Sequence, residues 1–306
     1  MNDLDLSRLL PAPATPDLPA DRQQLLKDHL LREIRAVKPV RRRRLVLVAA
    51  AVAVVAVAAA VVAFRATPET RPALVVAVQE GDAGAVQQLL DRIALAAAAQ
   101  SPVSVAPGQF LYIKSTVAFA EFGGKHVRME PLHDRQIWLS QDPKQPGLLK
   151  ERGRTITLDA GGRTNEELVG NLPADPAALL AKAYADTQGQ GNGPDQEAFV
   201  YVGDHLFESL PSPAVSAALY RAAALIPGVV TIDDAADAIG RHGIAVARTD
   251  EVDGIRHEWI FDRETFAYLG QREYAVRDGN GMTAGTVIGI TAVLQRAVVD
   301  RAGRTP

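Results

Sequence analysis

Between Leu45 and Phe64 the chain runs for 20 residues without a charge, a polar side chain, a glycine or a proline: two Leu, eight Val, nine Ala and one Phe. A helix rises about 1.5 Å per residue, so such a run spans roughly 30 Å, the thickness of a bilayer's hydrocarbon core. Its Leu, Val and Phe side chains together supply roughly 3–7 kcal/mol toward insertion at mid-membrane. A buried core helix would normally carry polar residues along one side, and this run carries none. The expectation is one transmembrane helix over 45–64.

The flanks orient it. Lys38 and Arg41, Arg42, Arg43 and Arg44 precede the run, while Arg65 and Arg71 follow it with Glu69 between. Excess basic charge stays in the cytoplasm, so the N-terminus is expected inside and the C-terminal domain outside, in a single-pass cell-membrane protein. A cleaved signal peptide is the competing reading, with Arg43–Arg44 imitating a twin-arginine signal and Ala58–Ala60 a cleavage site. The apolar run is longer than the roughly 7–15 residues of such a signal, and the tail before it is long for a leader.

Residues 1–44 then form a cytoplasmic tail with 10 basic and 6 acidic side chains. Pro11, Pro13, Pro16 and Pro19 are too dense for a helix, but Asp21 can cap one reaching Val37, stopped by Pro39. On it Leu26, Leu30, Ile34 and Val37 fall in one narrow arc, an apolar ridge that needs a partner. A groove on a sigma factor and the inner leaflet beside Arg41–Arg44 both suit it.

Residues 66–108 read as a linker, whose start could prolong the membrane helix, followed by a helix from Asp82 to about Ala99. Ser101, Pro102, Pro107 and Gly108 break the chain. From Gln109 the apolar period changes toward two. Gln109–Ala120, Lys125–Glu130, Gln136–Ser140, Pro146–Glu151 and Thr155–Asp159 read as strands. Asp175–Asp186, Asp195–Ser209 and Ala214–Leu225 read as helices. Ile244–Thr249, Arg256–Phe261, Phe266–Tyr274 and Thr286–Val299 return to strand. This order implies an α+β extracytoplasmic domain over 109–306 with a mainly antiparallel sheet and several helices.

Chemical motifs are sparse. The chain has no cysteine, which removes disulfides, thiol catalysis and Cys-ligated zinc. A net charge of −3 argues against coating nucleic acid. There is no G-x-S-x-G elbow, phosphate loop or H-E-x-x-H, so no catalytic, cofactor or metal residues are assigned and an enzyme is not expected. Asp204, His205 and Glu208 have metal-like spacing, but nothing pairs the scattered histidines and an ordinary polar helix face is the expected reading. Asp233, Asp234 and Asp237 are expected to open a short helix, where acids are favoured by the dipole. Arg277–Gly281 reads as a hairpin connection. Most informative is the stretch around the polar turn Asp262–Thr265. Period-two spacing places Trp259 and Phe261 on one face, with Phe266 and Tyr268 as partners across the turn. These four aromatics form either core against the helices or the wall of an apolar groove for an envelope ligand.

Several segments carry a resemblance: LLDRIALAAAA at 89–99, FLYIKS at 110–115, RQIWLS at 135–140, PGLL at 146–149, ALYRAAALIPGV at 218–229 and VVDRAGRTP at 298–306. With the Ala/Val span and its basic leading edge, they resemble an actinobacterial family of single-pass membrane proteins known by a locus-derived label. Genes of that family often lie beside extracytoplasmic-function sigma factors. The resemblance implies a link to sigma-factor control and supplies no catalytic residues. The hairpin-rich pattern is also similar to the half-open sheet of periplasmic lipoprotein carriers and sigma-regulatory sensors, a fold analogy that does not transfer function. The leading expectation is a binding or sensing ectodomain on a membrane anchor, and the alternative is an envelope lipid or lipoprotein carrier without signalling.

Overall fold

Interactions divide the chain between Arg65 and Ala66 into two units. The computed structural model describes residues 74–122, 127–159 and 164–306, all within the second. The Leu45–Phe64 run and the tail segment with Leu26, Leu30, Ile34 and Val37 lie outside the described residues. Among those described, no helix is long and apolar enough to cross a membrane.

The second unit is α+β. Its strands are β1 (Phe110–Glu121), β2 (Arg128–Met129), β3 (His133–Ser140), β4 (Leu148–Glu151) and β5 (Arg154–Thr157), then β6 (Val229–Ala236), β7 (His242–Asp250), β8 (Ile255–Phe261), β9 (Tyr268–Ala275) and β10 (Val287–Val299). Nine of them make one antiparallel sheet in the order β5-β4-β3-β1-β10-β9-β8-β7-β6, with the short β2 paired to β1. Four helices, α1 (Val86–Ala98), α2 (Pro176–Asp186), α3 (Pro194–Phe207) and α4 (Pro213–Ala223), complete it. A π-helical turn at Glu166–Gly170 precedes α2. The chain leaves the sheet at one edge, β5, and re-enters at the other, β6. The connection must therefore cross the sheet, and α2–α4 are that crossing.

Local chemistry sets the boundaries. Proline occupies the first turn of α2, α3 and α4, where its missing N–H costs nothing. Asp175 and Ser212 cap α2 and α4 by accepting from the Ala178 and Val215 amides. Between β9 and β10, Asn280 and Gly281 take left-handed φ of 50° and 77°, and Gly279 and Met282 exchange both backbone bonds. That is the two-residue turn whose twist matches antiparallel strands.

Three local expectations are corrected. Asp233 and Asp234 do not open a helix: they sit exposed in β6 at a bulge between Ile232 and Ala235, and Asp237 follows in a turn. Charge and a bulge on the sheet's last strand oppose edge-to-edge pairing, which explains acids where a strand runs. From Leu74 the linker does not continue as a helix but is extended. It pairs Val75 with Thr286 and Asp82 with Thr231, while the Arg256 guanidinium donates to the Gln79 carbonyl at 2.5 Å. Phe266 is not in β9; it takes φ 57° in the turn, where its amide donates to the Asp262 carbonyl.

The main core lies between sheet and helices. Val86, Leu89, Leu90 and Ile93 of α1, Leu179 of α2, Phe199 and Val202 of α3 and Leu219 of α4 meet Val246, Trp259 and Phe261 of the sheet. On the other face of the sheet, Ile232, Ala245, Ala247, Ile260 and Leu269 form a smaller cluster. Beside it Arg272 makes two bonds to one oxygen of Glu258 (2.9 and 2.7 Å) while Tyr274 donates to the other at 2.8 Å. Burial and the Glu258 charge push the Tyr274 hydroxyl up to about 12, so it remains a donor and the buried carboxylate keeps its partners. Trp259 is 2% exposed and its ring stacks on Phe199 at 3.9 Å and 4°. Trp259→Ala is expected to cost about 3–5 kcal/mol in urea unfolding, the range for deleting a core aromatic.

Candidate functional site

The four aromatics singled out by period-two spacing converge on the helical side of the sheet. Trp259 and Phe261 are core members, and Phe266 and Tyr268 pack against the same cluster while partly buried. Phe261 meets Tyr220 edge-on at 5.6 Å and Tyr268 at 5.7 Å. The Arg92 guanidinium lies 4.6 Å over the Phe266 ring, and that of Arg296 lies 5.5 Å over Tyr268. These rings pack between the layers.

A sizeable hollow lies elsewhere, among the helices and beside Leu139 of β3. It holds about 880 Å³ between the π-turn, α2 and α3, and its lining includes Leu168, Lys182, Asp186, Tyr201, Asp204 and His205. Helix α3 explains it. Its inner side carries Phe199, Val202 and Leu206 into the core, while Glu197, Tyr201, Asp204 and the following Glu208 recur at three- and four-residue spacing and face the cleft. Gly203 lies on the inner side, where a Cβ would come within 2.7 Å of Trp259 Nε1. The helix therefore sits directly on the tryptophan ring.

The cleft is rich in carboxylates. On its α2 side, Asp186 pairs with Lys182 Nζ at 2.9 Å and accepts from Tyr201 Oη at 3.1 Å. The Lys182 ammonium is the main cause that holds the Asp186 carboxyl below its usual range. Glu208 pairs with Arg135 of β3 at 2.8 Å. Asp204 behaves oppositely: desolvation by the surrounding protein raises it, and Glu208, Glu273 and Glu197 add to the rise against the opposing His205.

His205 serves as a tie. Its Nδ1 lies 2.7 Å from the Tyr201 carbonyl and its Nε2 lies 3.2 Å from the Leu168 carbonyl, joining α3 to the π-turn. Each ring nitrogen faces a backbone carbonyl oxygen, which bears directly on the Asp204, His205 and Glu208 spacing: the ring is directed at these carbonyls and not at a cation shared with the two carboxylates. Among the described residues no group of three or more His, Asp or Glu side chains is arranged to hold a metal ion. The Ser209 hydroxyl donates to the His205 carbonyl at 2.5 Å, so it is engaged in capping α3.

Sequence reasoning reached Asp204, His205 and Glu208 but not Glu167, Lys182, Asp186, Glu197 or Tyr201 as neighbours of one cleft. The available signal was the polar stripe 197–201–204–208 opposite the apolar positions Ala198, Phe199, Val202 and Leu206. Compared with known proteins, the chain matches no protein-family model and no curated protein.

Asp204 gives the cleft a pH signature. Its folded carboxyl titrates above the unfolded value of 3.8, so ionising it costs stability at neutral pH, and the cost disappears as pH falls below that value. Asp204→Asn should therefore raise the Tm at pH 7, and the difference from wild type should shrink at pH 4.

Proposed function

We propose that this is a single-pass membrane protein whose extracytoplasmic α+β domain binds a small polar ligand in the α2–α3 cleft. The observation that carries the reading is the cleft itself, whose roughly 880 Å³ falls within the usual size of small-molecule sites. Its carboxylates favour a ligand with positive charge or several hydrogen-bond donors. The membrane anchor rests on the Leu45–Phe64 run and its basic leading edge. Binding outside is read out, in this proposal, by the cytoplasmic tail, with the Leu26, Leu30, Ile34 and Val37 ridge engaging a sigma factor. That last step rests on the amphipathic spacing and on the resemblance to the actinobacterial family.

The carrier alternative draws less support. A lipid or lipoprotein carrier needs an acyl-chain-sized apolar space between its sheet and helices. Here Phe199, Trp259, Phe261 and Leu219 occupy that space, all essentially buried.

Native mass spectrometry on the full chain, purified from membranes into nanodiscs, tests the proposal. Wild type should carry a small-molecule adduct, and Val200→Trp, which fills the cleft from α3, should lose it while keeping its Tm. A wild-type protein free of adducts under conditions that retain its lipids would overturn the reading.

A further inference from the structure

A second hollow, about 300 Å³, lies on the face of the sheet away from the helices, lined mainly by Leu74, Ala118, Met129, Leu132, Ala238 and Ile290. Ala118, Met129, Ala238 and Ile290 belong to the cluster around Tyr274, so the hollow's floor is the core of that face. Its rim is apolar and open: Leu74 is 44% exposed, Leu132 53% and the adjoining Val75 59%. Glu130 and Asp237 also line it, but neither carboxylate is free. Glu130 accepts from the Phe119 amide at 2.9 Å and pairs with Arg152. Asp237 accepts from the Ile239 and Arg241 amides, both at 3.0 Å, and from Arg241 Nε at 2.6 Å.

We infer that this groove rests on the outer leaflet of the bilayer, with Leu74 and Leu132 inserted among the upper acyl chains. The inference rests on the membrane anchor proposed above. Leu74, the first described residue, is itself part of the groove wall, and only nine residues separate it from Phe64 at the end of the apolar run. At no more than about 3.6 Å per residue, that tether reaches at most about 36 Å. That reach keeps the groove wall near enough to the span to be laid against the bilayer.

A second protein is a poorer occupant. A few half-exposed aliphatic side chains present on the order of 300 Å², well below the roughly 800 Å² a side of a stable interface. A tethered contact with lipid needs much less, because the anchor has already met the translational cost and holds the surface at high effective concentration. Satisfied carboxylates at the groove mean that no bare charge has to be desolvated.

The absence of cysteine allows a direct test, since each introduced thiol is unique. Leu74→Cys, Leu132→Cys, Leu95→Cys and Leu225→Cys, all exposed positions, are labelled with bimane in the full chain in phosphatidylcholine–phosphatidylglycerol nanodiscs. Leu95 and Leu225 lie in the helical layer and serve as controls. Quenching by lipids carrying a shallow acyl-chain nitroxide should be at least twofold stronger at 74 and 132 than at 95 and 225. Equal quenching at 132 and at the controls, in protein that stays with the nanodiscs through an alkaline carbonate wash, would overturn the groove's assignment alone. Protein stripped by that wash would overturn the anchor, and the groove's assignment with it.

Discussion

The seat of α3 on Trp259 organises this domain. The indole stacks flat on Phe199, and one turn along the same helix Gly203 leaves room for the indole nitrogen at a distance no side chain could share. Glycine inside a helix costs roughly 1 kcal/mol against alanine, so its place in the middle of α3 needs an offsetting gain. Burial of a whole tryptophan between layers supplies it. Once α3 is fixed by its inner side, the rest follows by rotation: Glu197, Tyr201 and Asp204 must face outward, and the cleft takes its carboxylates from them. His205 then ties the π-turn to α3 and closes one wall.

Most of the layout was legible in the sequence because it is written in local periodicity and turn chemistry. The long β1 run, the proline-started helices and the Asn280–Gly281 turn each follow from rules that act within a few residues. The failures were of a different kind. Asp233 and Asp234 suit a helix start by charge, and only the knowledge that β6 is the sheet's last strand and carries a bulge makes them strand residues. Phe266 has β-forming character but sits at a left-handed turn position set by the hydrogen bonds of Asp262. The cleft was illegible because Glu167, Lys182, Asp186 and Asp204 come from three elements whose juxtaposition depends on how the crossing helices lie on the sheet.

The two faces of the sheet have different physical characters. The helical side is sealed by aromatics and presents its polar chemistry outward, on α2 and α3. The other side carries its own aromatic cluster of Phe110, Tyr112 and Trp138, a fully bonded Glu258–Arg272–Tyr274 group and an apolar hollow beside Leu74. A domain held near a bilayer benefits from this division: a lipid-compatible face toward the membrane leaves the carboxylate-rich cleft free to meet solutes.

Because the α3 wall of the cleft is seated on Trp259, Gly203→Ala in urea unfolding is the most direct test. On a helix face free of such contact, alanine would raise stability by about 0.5–1 kcal/mol. The account predicts the opposite sign, a net loss of stability with faster amide exchange along α3, because the new methyl group must push the helix away from the indole. A gain in stability with α3 still protected would contradict it.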